Sequence, residues 1–154
     1  IFNIPEAVIN EEKTVLGTDG RKMSKSYNNI IPLLSGEDEL KKSVMKIITN
    51  SQEPGEKKEW EDNILSSIYS SFANDQSIKE LQNKFSDGIG WGDAKKIVFE
   101  DLNKLLTPIR EKHAELKSKE DYLEEILQSN AKKVRAFTKP LLEEVKSSIG
   151  ISKF

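Results

Sequence analysis

The sequence contains no cysteine and only one histidine, His113, among its 154 residues. Disulfides, thiolate metal sites and zinc sites built on several histidines are therefore excluded. No apolar run approaches the roughly 18 residues of a membrane span. The first ten residues hold Pro5, Glu6 and no basic residue, so they do not resemble a secretory signal peptide. These absences predict a cytoplasmic protein with no membrane contact and no metal site of its own.

The sequence also lacks a large excess of charge of one sign. It contains 24 Lys and Arg residues and 26 Asp and Glu residues, which gives a net charge of −2. Any polyanion must therefore bind a local patch rather than the whole surface. Hydrophobic residues make up 36% of the chain, which is enough for a modest core. The chain begins with Ile1 rather than Met, and we expect a fragment whose N-terminal part is absent.

Apolar residues recur at helical spacing from Leu40 to Ile149, which predicts a mainly α fold, a bundle of about five helices joined by short loops. Before this region, Val15-Leu16 is expected to end a strand. The first helix should be capped by Ser35 and end near Thr49-Asn50. Asp87-Gly88 should end a short helix, and Gly88 to Gly92 should form a glycine-rich turn.

Two long helices should follow. We expect Asp93 to open the first of them and Ser118 to begin the second, with Pro108 and Pro140 as internal kinks and Gly150 as the stop. Before them, a wide apolar stripe from Trp60 to Phe72 predicts another helix, which Asn74-Asp75 should break. Trp60 and Trp91 are interpreted as core and turn-packing residues, and His113 as a partly buried or surface residue.

The stretch from Gly17 to Asn29 concentrates cations and hydroxyl groups around Arg21, Lys22 and Lys25. Two lysines three residues apart on a loop can reach separate oxygens of one polyphosphate, and serine hydroxyls add donors. Met23 cannot bind phosphate, so we expect it to anchor the loop against apolar surface. A solvated basic turn is the usual interpretation of an arbitrary Lys-x-x-Lys cluster and is the alternative here.

These residues carry a family resemblance. Lys22-Met23-Ser24-Lys25-Ser26 matches the KMSKS signature of class I aminoacyl-tRNA synthetases. The longer string from Gly17 to Leu33 resembles the tryptophanyl-tRNA synthetases, as do three further segments, Val44 to Ser51, Gly90 to Lys95 and Ala131 to Arg135. The resemblance covers nearly the whole chain.

The resemblance implies a Rossmann-like catalytic domain joined to a helical domain that meets the tRNA anticodon. Residues 1–34 would be the end of the catalytic domain with its KMSKS loop, and residues 35–154 the anticodon-binding domain. Such an enzyme activates tryptophan with ATP and Mg²⁺, releases pyrophosphate and transfers tryptophan to tRNA(Trp). Lys22 and Lys25 would be the catalytic residues, and ATP would be bound by Lys22, Met23, Ser24, Lys25 and Ser26.

Two departures from the family pattern stand out. The HIGH-type motif has no match and the tryptophan pocket would lie elsewhere, so the chain alone is expected to be inactive and to bind neither ATP nor Mg²⁺. The full-length enzyme is expected to be a homodimer. Many class I loops continue with Gly-Asn, whereas this one has Asn28-Asn29. Asn tolerates the left-handed conformation, so we expect Asn28 to replace that glycine.

A second basic cluster lies near the C-terminus, where Lys132, Arg135 and Lys139 follow an i, i+3, i+7 pattern beside Lys133. These four residues are interpreted as contacts to tRNA phosphates, with a solvated helix face as the alternative. Two other assignments stay open for the chain as a whole. One is a fragment of a tyrosyl-tRNA synthetase, and the other is a non-catalytic helical interaction module whose basic loop is incidental.

Overall fold

The computed structural model describes residues 1–8 and 14–151, and helices dominate them. A single 3₁₀ turn, Lys25–Tyr27, precedes five α-helices: α1 (Glu37–Met45), α2 (Ile64–Ser70), α3 (Asp75–Ser86), α4 (Trp91–Lys117) and α5 (Glu120–Ser148). The predicted mainly α fold of about five helices is therefore confirmed. In the described part of the chain, the strand expected at Val15-Leu16 is reduced to one isolated antiparallel bridge between Leu16 and Lys22.

The chain divides into two compact units, one formed by Asn10–Lys112 and the other by Ile1–Ile9 with His113–Phe154. The boundary between a catalytic part at 1–34 and a tRNA-binding part at 35–154 concerns a longer enzyme and stays a prediction. Among the described helices, none combines the length and the apolar character that crossing a bilayer requires.

The core of the larger unit is built from the apolar faces of α1 to α4. Phe85 of α3 is fully buried and lies between two indole rings, with centroid distances of 5.2 Å to Trp60 and 5.5 Å to Trp91. Both tryptophans are partly buried against this core, which confirms their interpretation as packing residues. The other fully buried side chains of this core include Leu40, Val44, Leu65, Leu81 and Val98.

The bounds of α1 differ from those expected. Ser35 is not the N-cap, because its hydroxyl donates to the carbonyl of Pro32 at 2.9 Å and the helix begins after Gly36. The helix also ends at Met45, several residues before Thr49-Asn50. It ends early because the Ile48 N–H leaves the helical pattern and donates to the carbonyl of Thr18 at 2.8 Å.

The stripe from Trp60 to Phe72 was expected to be one helix, but α2 begins only at Ile64. Asp62 has a φ of 55°, a left-handed conformation that a continuous α-helix cannot include. Asn63 then caps α2, its side-chain oxygen accepting from the N–H groups of Leu65 and Ser66. Asn74 caps α3 in the same way, so the break predicted there is confirmed.

Both long helices contain their proline, as expected. Pro108 lies inside α4 and Pro140 inside α5. The glycine-rich turn is shorter than expected, because α4 begins at Trp91, two residues before Asp93. The last helix ends at Ser148, and Gly150, the predicted stop, follows two residues later with a φ of 78°.

The start of α5 differs slightly from the expected one. Ser118 does not begin the helix, since its hydroxyl donates to the carbonyl of Glu115 at 2.8 Å and Lys119 is the N-cap. No described residue of α5 is buried. Its predicted apolar stripe is therefore open to solvent in this chain, with Leu127 65% exposed and Phe137 77% exposed.

Candidate functional site

The basic loop starts from a tight backbone turn, Gly17 to Arg21, which we call the lead-in turn. The Gly17 N–H donates to the carbonyl of Arg21 at 2.7 Å, and the Met23 N–H donates to that of Val15 at 3.0 Å. Gly20 closes this turn with a φ of 81°, and a Cβ there would lie 2.8 Å from Cδ1 of Ile64. The turn therefore favours glycine at position 20 for its left-handed conformation, and a larger residue would also have to displace the end of the Ile64 side chain.

Asn29 is the hydrogen-bonding centre of the loop and is only 2% exposed. Its Oδ1 accepts from the Ser24 N–H at 2.8 Å. Its Nδ2 donates to Asp19 Oδ1 at 2.7 Å and to the carbonyl of Lys22 at 3.2 Å. Its own carbonyl accepts from the Thr18 N–H at 2.9 Å. Asn29 therefore ties the lead-in turn to the first half of the KMSKS string.

The Asp19 carboxylate accepts from Asn29 through Oδ1 and pairs with Arg21 through Oδ2. The Arg21 Nε donates to Asp19 Oδ2 at 2.8 Å, and Nη2 lies 2.6 Å from the same oxygen. The hydrogen bond from Asn29, together with the bonds and charge of Arg21, lowers the pKa of Asp19 to about 2 although partial burial opposes the shift. The Arg21 guanidinium also lies 4.4 Å above the ring of Tyr27. Arg21 is thus occupied within the loop.

Lys22 and Lys25 are both exposed. Within the described part of the chain, neither side chain has an ion pair or hydrogen bond, in contrast with Arg21. Their ammonium groups are available to an anion from solution. Met23 lies between them and is partly buried against the hydrophobic core, as its expected anchoring role requires.

The second half of the string is a single 3₁₀ turn, Lys25–Tyr27. Ser24 caps it, its Oγ accepting from the Ser26 N–H at 3.3 Å, and the Ser26 side chain itself is exposed. Asn28 ends the turn with a φ of 52° and donates its N–H to the carbonyl of Lys25 at 3.1 Å. The expectation that Asn28 adopts the left-handed conformation is confirmed.

An open cleft of about 660 Å³ borders the lead-in turn. Asp19, Gly20 and Arg21 form one wall, and the residues from Trp60 to Ile64 form the other. The two free lysines do not line this cleft. Of the three cations of the loop, Arg21 therefore borders the cleft, whereas Lys22 and Lys25 face solvent outside it.

The C-terminal basic cluster lies on α5, where Lys132, Lys133, Arg135 and Lys139 are all exposed. Lys132 and Arg135 line one shallow groove of about 420 Å³ together with Leu127 and Ala131. Lys133 and Lys139 lie outside that groove. The helix therefore brings two of the four predicted residues to one surface depression.

The remaining sequence candidates are simple to place. His113 is an exposed residue of α4. Within residues 1–8 and 14–151, no group of three or more His, Asp and Glu side chains is placed to hold a metal ion. The role of Asn29 was not predicted from the sequence, which indicated a special conformation only for its neighbour Asn28. The Asp19-Gly20 turn, ten residues upstream, was the only available signal for a partner.

The loop carries the KMSKS string typical of class I aminoacyl-tRNA synthetases, and comparison with known proteins supports the same class of enzyme. The family model for class I tRNA synthetases (W and Y) matches residues 1–107. The chain belongs to this family.

Among curated relatives, the chain is 41% identical over 152 residues to the Tryptophan–tRNA ligase of Xanthomonas axonopodis pv. citri, an alignment that covers 97% of this chain and 35% of the relative. It is 42% identical to the Tryptophan–tRNA ligase of Neisseria meningitidis, covering 98% of this chain and 45% of the relative. The resemblance to tryptophanyl-tRNA synthetases is thereby confirmed. The chain spans between a third and a half of the length of these relatives.

The fold is similar to that of solved structures as well. The tryptophanyl-tRNA synthetase of Campylobacter jejuni matches with a TM-score of 0.82 and 37% identity, over 97% of this chain and 47% of that one. A second structure of that protein, complexed with ADP and tryptophan, matches with a TM-score of 0.83 and 38% identity, over 95% of this chain and 46% of that one.

Proposed function

We propose that this chain supplies the ATP-binding loop and the tRNA-binding helices of a tryptophan–tRNA ligase. The complete enzyme activates tryptophan with ATP to form the adenylate, releases pyrophosphate and transfers tryptophan to tRNA(Trp). The observation that carries the proposal is the loop itself: a KMSKS string, anchored by Asn29, whose two lysines are exposed and have no ion pair or hydrogen bond to any described residue. The high identity to tryptophan–tRNA ligases along the whole chain supports the choice of amino acid.

Lys22 and Lys25 bind the phosphates of ATP in this proposal. Negative charge develops on the leaving pyrophosphate as tryptophan attacks the α-phosphate, and fixed cations stabilise that charge most in the transition state. Ser24 uses its hydroxyl oxygen as an acceptor for the Ser26 N–H, so its hydroxyl proton can still be donated to a phosphate oxygen. The exposed Ser26 hydroxyl supplies a further donor. Mg²⁺ enters with ATP as part of the substrate.

The helical part contacts tRNA in the same proposal. Residues 1–34 complete the catalytic domain and residues 35–154 form the anticodon-binding domain, with phosphate contacts from Lys132, Lys133, Arg135 and Lys139. Phosphate contacts position the tRNA and leave base reading to other residues. The complete enzyme works as a homodimer in the cytoplasm, and this chain without the nucleotide-binding turn and the tryptophan pocket is inactive.

The proposal is tested by ATP–pyrophosphate exchange in the complete enzyme. Tryptophan should support exchange and tyrosine should not. Lys22→Ala and Lys25→Ala should each lower kcat on the order of a hundredfold, because each removes one donor to the developing charge. Lys79→Ala is the matched control, since Lys79 is an exposed lysine of α3 outside the loop.

Two results would contradict the proposal. Exchange that depends on tyrosine would assign the chain to a tyrosyl-tRNA synthetase. Exchange that is equally fast in Lys22→Ala, Lys25→Ala and Lys79→Ala would remove the loop from catalysis and leave the helical interaction module as the better interpretation.

A further inference from the structure

The two halves of the KMSKS string are held in different ways. The backbone from Lys22 to Ser24 is fixed at both ends by one side chain, because Asn29 donates to the Lys22 carbonyl and accepts from the Ser24 N–H. The Met23 N–H between them donates to the carbonyl of Val15. The turn Lys25–Tyr27 contains no buried residue and, among residues 1–8 and 14–151, makes only local hydrogen bonds. Lys22 therefore lies on a segment fixed by Asn29, whereas Lys25 lies on an exposed turn held by local hydrogen bonds and by the contact of Arg21 with Tyr27.

The direction in which the Asn29 amide faces is set by Asp19. A carboxylate can only accept hydrogen bonds, so the Nδ2 end of the amide must face Asp19 Oδ1 and the Oδ1 end must face the Ser24 N–H. The opposite orientation would bring two oxygens together near Asp19 and two N–H donors together at Ser24. Arg21 holds the Asp19 carboxylate in place from the far side, through Nε at 2.8 Å.

We propose that Asn29, oriented by Asp19, is a positioning residue for the ATP phosphates. Asn29 touches no substrate. It acts through the backbone of Lys22 and Ser24, and so fixes the positions from which the Lys22 side chain and the Ser24 hydroxyl extend. The inference rests on the proposed function of the loop. Donors that are held before the reaction contribute more to the transition state than donors that must be ordered during it. The hydrogen-bonded pair of Asp19 and Asn29, which we call the clamp, therefore contributes to kcat and to ATP binding. It does not affect tryptophan binding.

The test exchanges the two partners of the clamp in the complete enzyme. Asn29→Asp keeps the acceptor for Ser24 but places a second carboxylate against Asp19 and removes the donor to the Lys22 carbonyl. We expect kcat/KM for ATP in ATP–pyrophosphate exchange to fall on the order of tenfold to a hundredfold, with an unchanged KM for tryptophan. The double variant Asp19→Asn with Asn29→Asp restores one donor–acceptor pair between positions 19 and 29. It should recover part of the loss.

Asn83→Asp makes the same chemical change at an exposed position of α3 and should leave exchange unaffected. Thermal unfolding of each variant is measured alongside, and exchange is assayed well below the lowest midpoint. If Asn29→Asp does not fold, Asp19→Asn carries the test. Asp19→Asn keeps the size of the side chain while releasing the amide orientation, and it should give a smaller fall in kcat/KM for ATP.

The outcomes separate the two proposals. Full exchange activity in Lys22→Ala and Lys25→Ala would refute the proposed function itself. If those variants lose activity while the clamp variants unfold at lower temperature with unaltered ATP kinetics, the loop assignment stands and Asn29 is only a structural residue. The absence of any recovery in the double variant would likewise overturn the pairing of Asp19 with Asn29.

Discussion

Gly17 is the residue on which the packing of the loop can be tested most directly. Gly17 is buried, and a Cβ added to it would lie 2.2 Å from Nδ2, 2.3 Å from Cγ and 2.8 Å from the carbonyl oxygen of Asn29. Because one of these atoms belongs to the backbone, the Asn29 side chain cannot relieve the whole clash by rotating. Gly17→Ala must therefore displace Asn29 or the turn that holds it.

The size of the effect follows from the contacts that would be disturbed. Overpacking a buried site costs about 1–3 kcal/mol, and each neutral hydrogen bond lost from Asn29 costs about 1 kcal/mol. Alanine also lowers the entropy of the unfolded chain, which returns about 0.4–1 kcal/mol. We expect a net destabilisation of about 2 kcal/mol. With a urea dependence of about 1–3 kcal/mol/M, this corresponds to a midpoint lower by about 1 M.

Urea unfolding followed by circular dichroism measures this change, and Gly92→Ala is the matched control. Gly92 lies in the first turn of α4, and a Cβ there would meet no atom within 4 Å. Alanine is the better helix former, so the control should gain up to about 1 kcal/mol. Equal stability of Gly17→Ala and the wild type would show that Asn29 does not pack against the turn as described, and would remove the structural basis of the clamp.

Two further predictions concern the helical body. Burial and the hydrogen bond to Asp101 raise the pKa of Tyr69, so the phenol releases its proton at a higher pH in the folded chain than in the unfolded one. The stability it contributes is complete below the unfolded pKa of about 10 and falls as pH rises beyond it. Tyr69→Phe should therefore flatten the alkaline decline in urea-unfolding free energy while costing about 1 kcal/mol at neutral pH, and an unchanged decline would contradict this. Replacing Lys132, Arg135 and Lys139 together by Ala should raise KM for tRNA, weaken the salt dependence of binding and leave ATP–pyrophosphate exchange intact, whereas unchanged tRNA affinity at every salt concentration would exclude this surface.

The sequence predicted the elements whose signals are local. The helical spacing of apolar residues located α1 to α5, and Asn74 and Gly150 marked a start and a stop because capping depends on neighbours within one turn. The KMSKS string was recognisable because the residues that form it are five consecutive positions in the sequence. The left-handed conformation of Asn28 was predicted because many class I loops have glycine at this position and Asn tolerates the same conformation.

The sequence could not predict features that depend on residues distant along the chain. Asn29 binds groups five, seven and ten residues away, and no periodic pattern connects them. The early end of α1 has the same origin, because the Ile48 N–H donates to the carbonyl of Thr18, which lies thirty residues earlier in the sequence. The late start of α2 depends on the left-handed conformation of Asp62. The residue type alone does not predict that conformation.

The segment that follows α1 links the loop to the helical body. Ile48 donates to Thr18 in the lead-in turn, while the side chain of Asn50 accepts from Nε1 of Trp91 at 3.0 Å. Lys95, one turn further along α4, donates to the carbonyl of Met45 at 3.3 Å and so binds the last residue of α1. The lead-in turn is therefore bound by the same segment, from Met45 to Asn50, that joins α1 to α4. Because that turn also holds Asn29, the geometry of the KMSKS loop depends on the packing of the helices behind it.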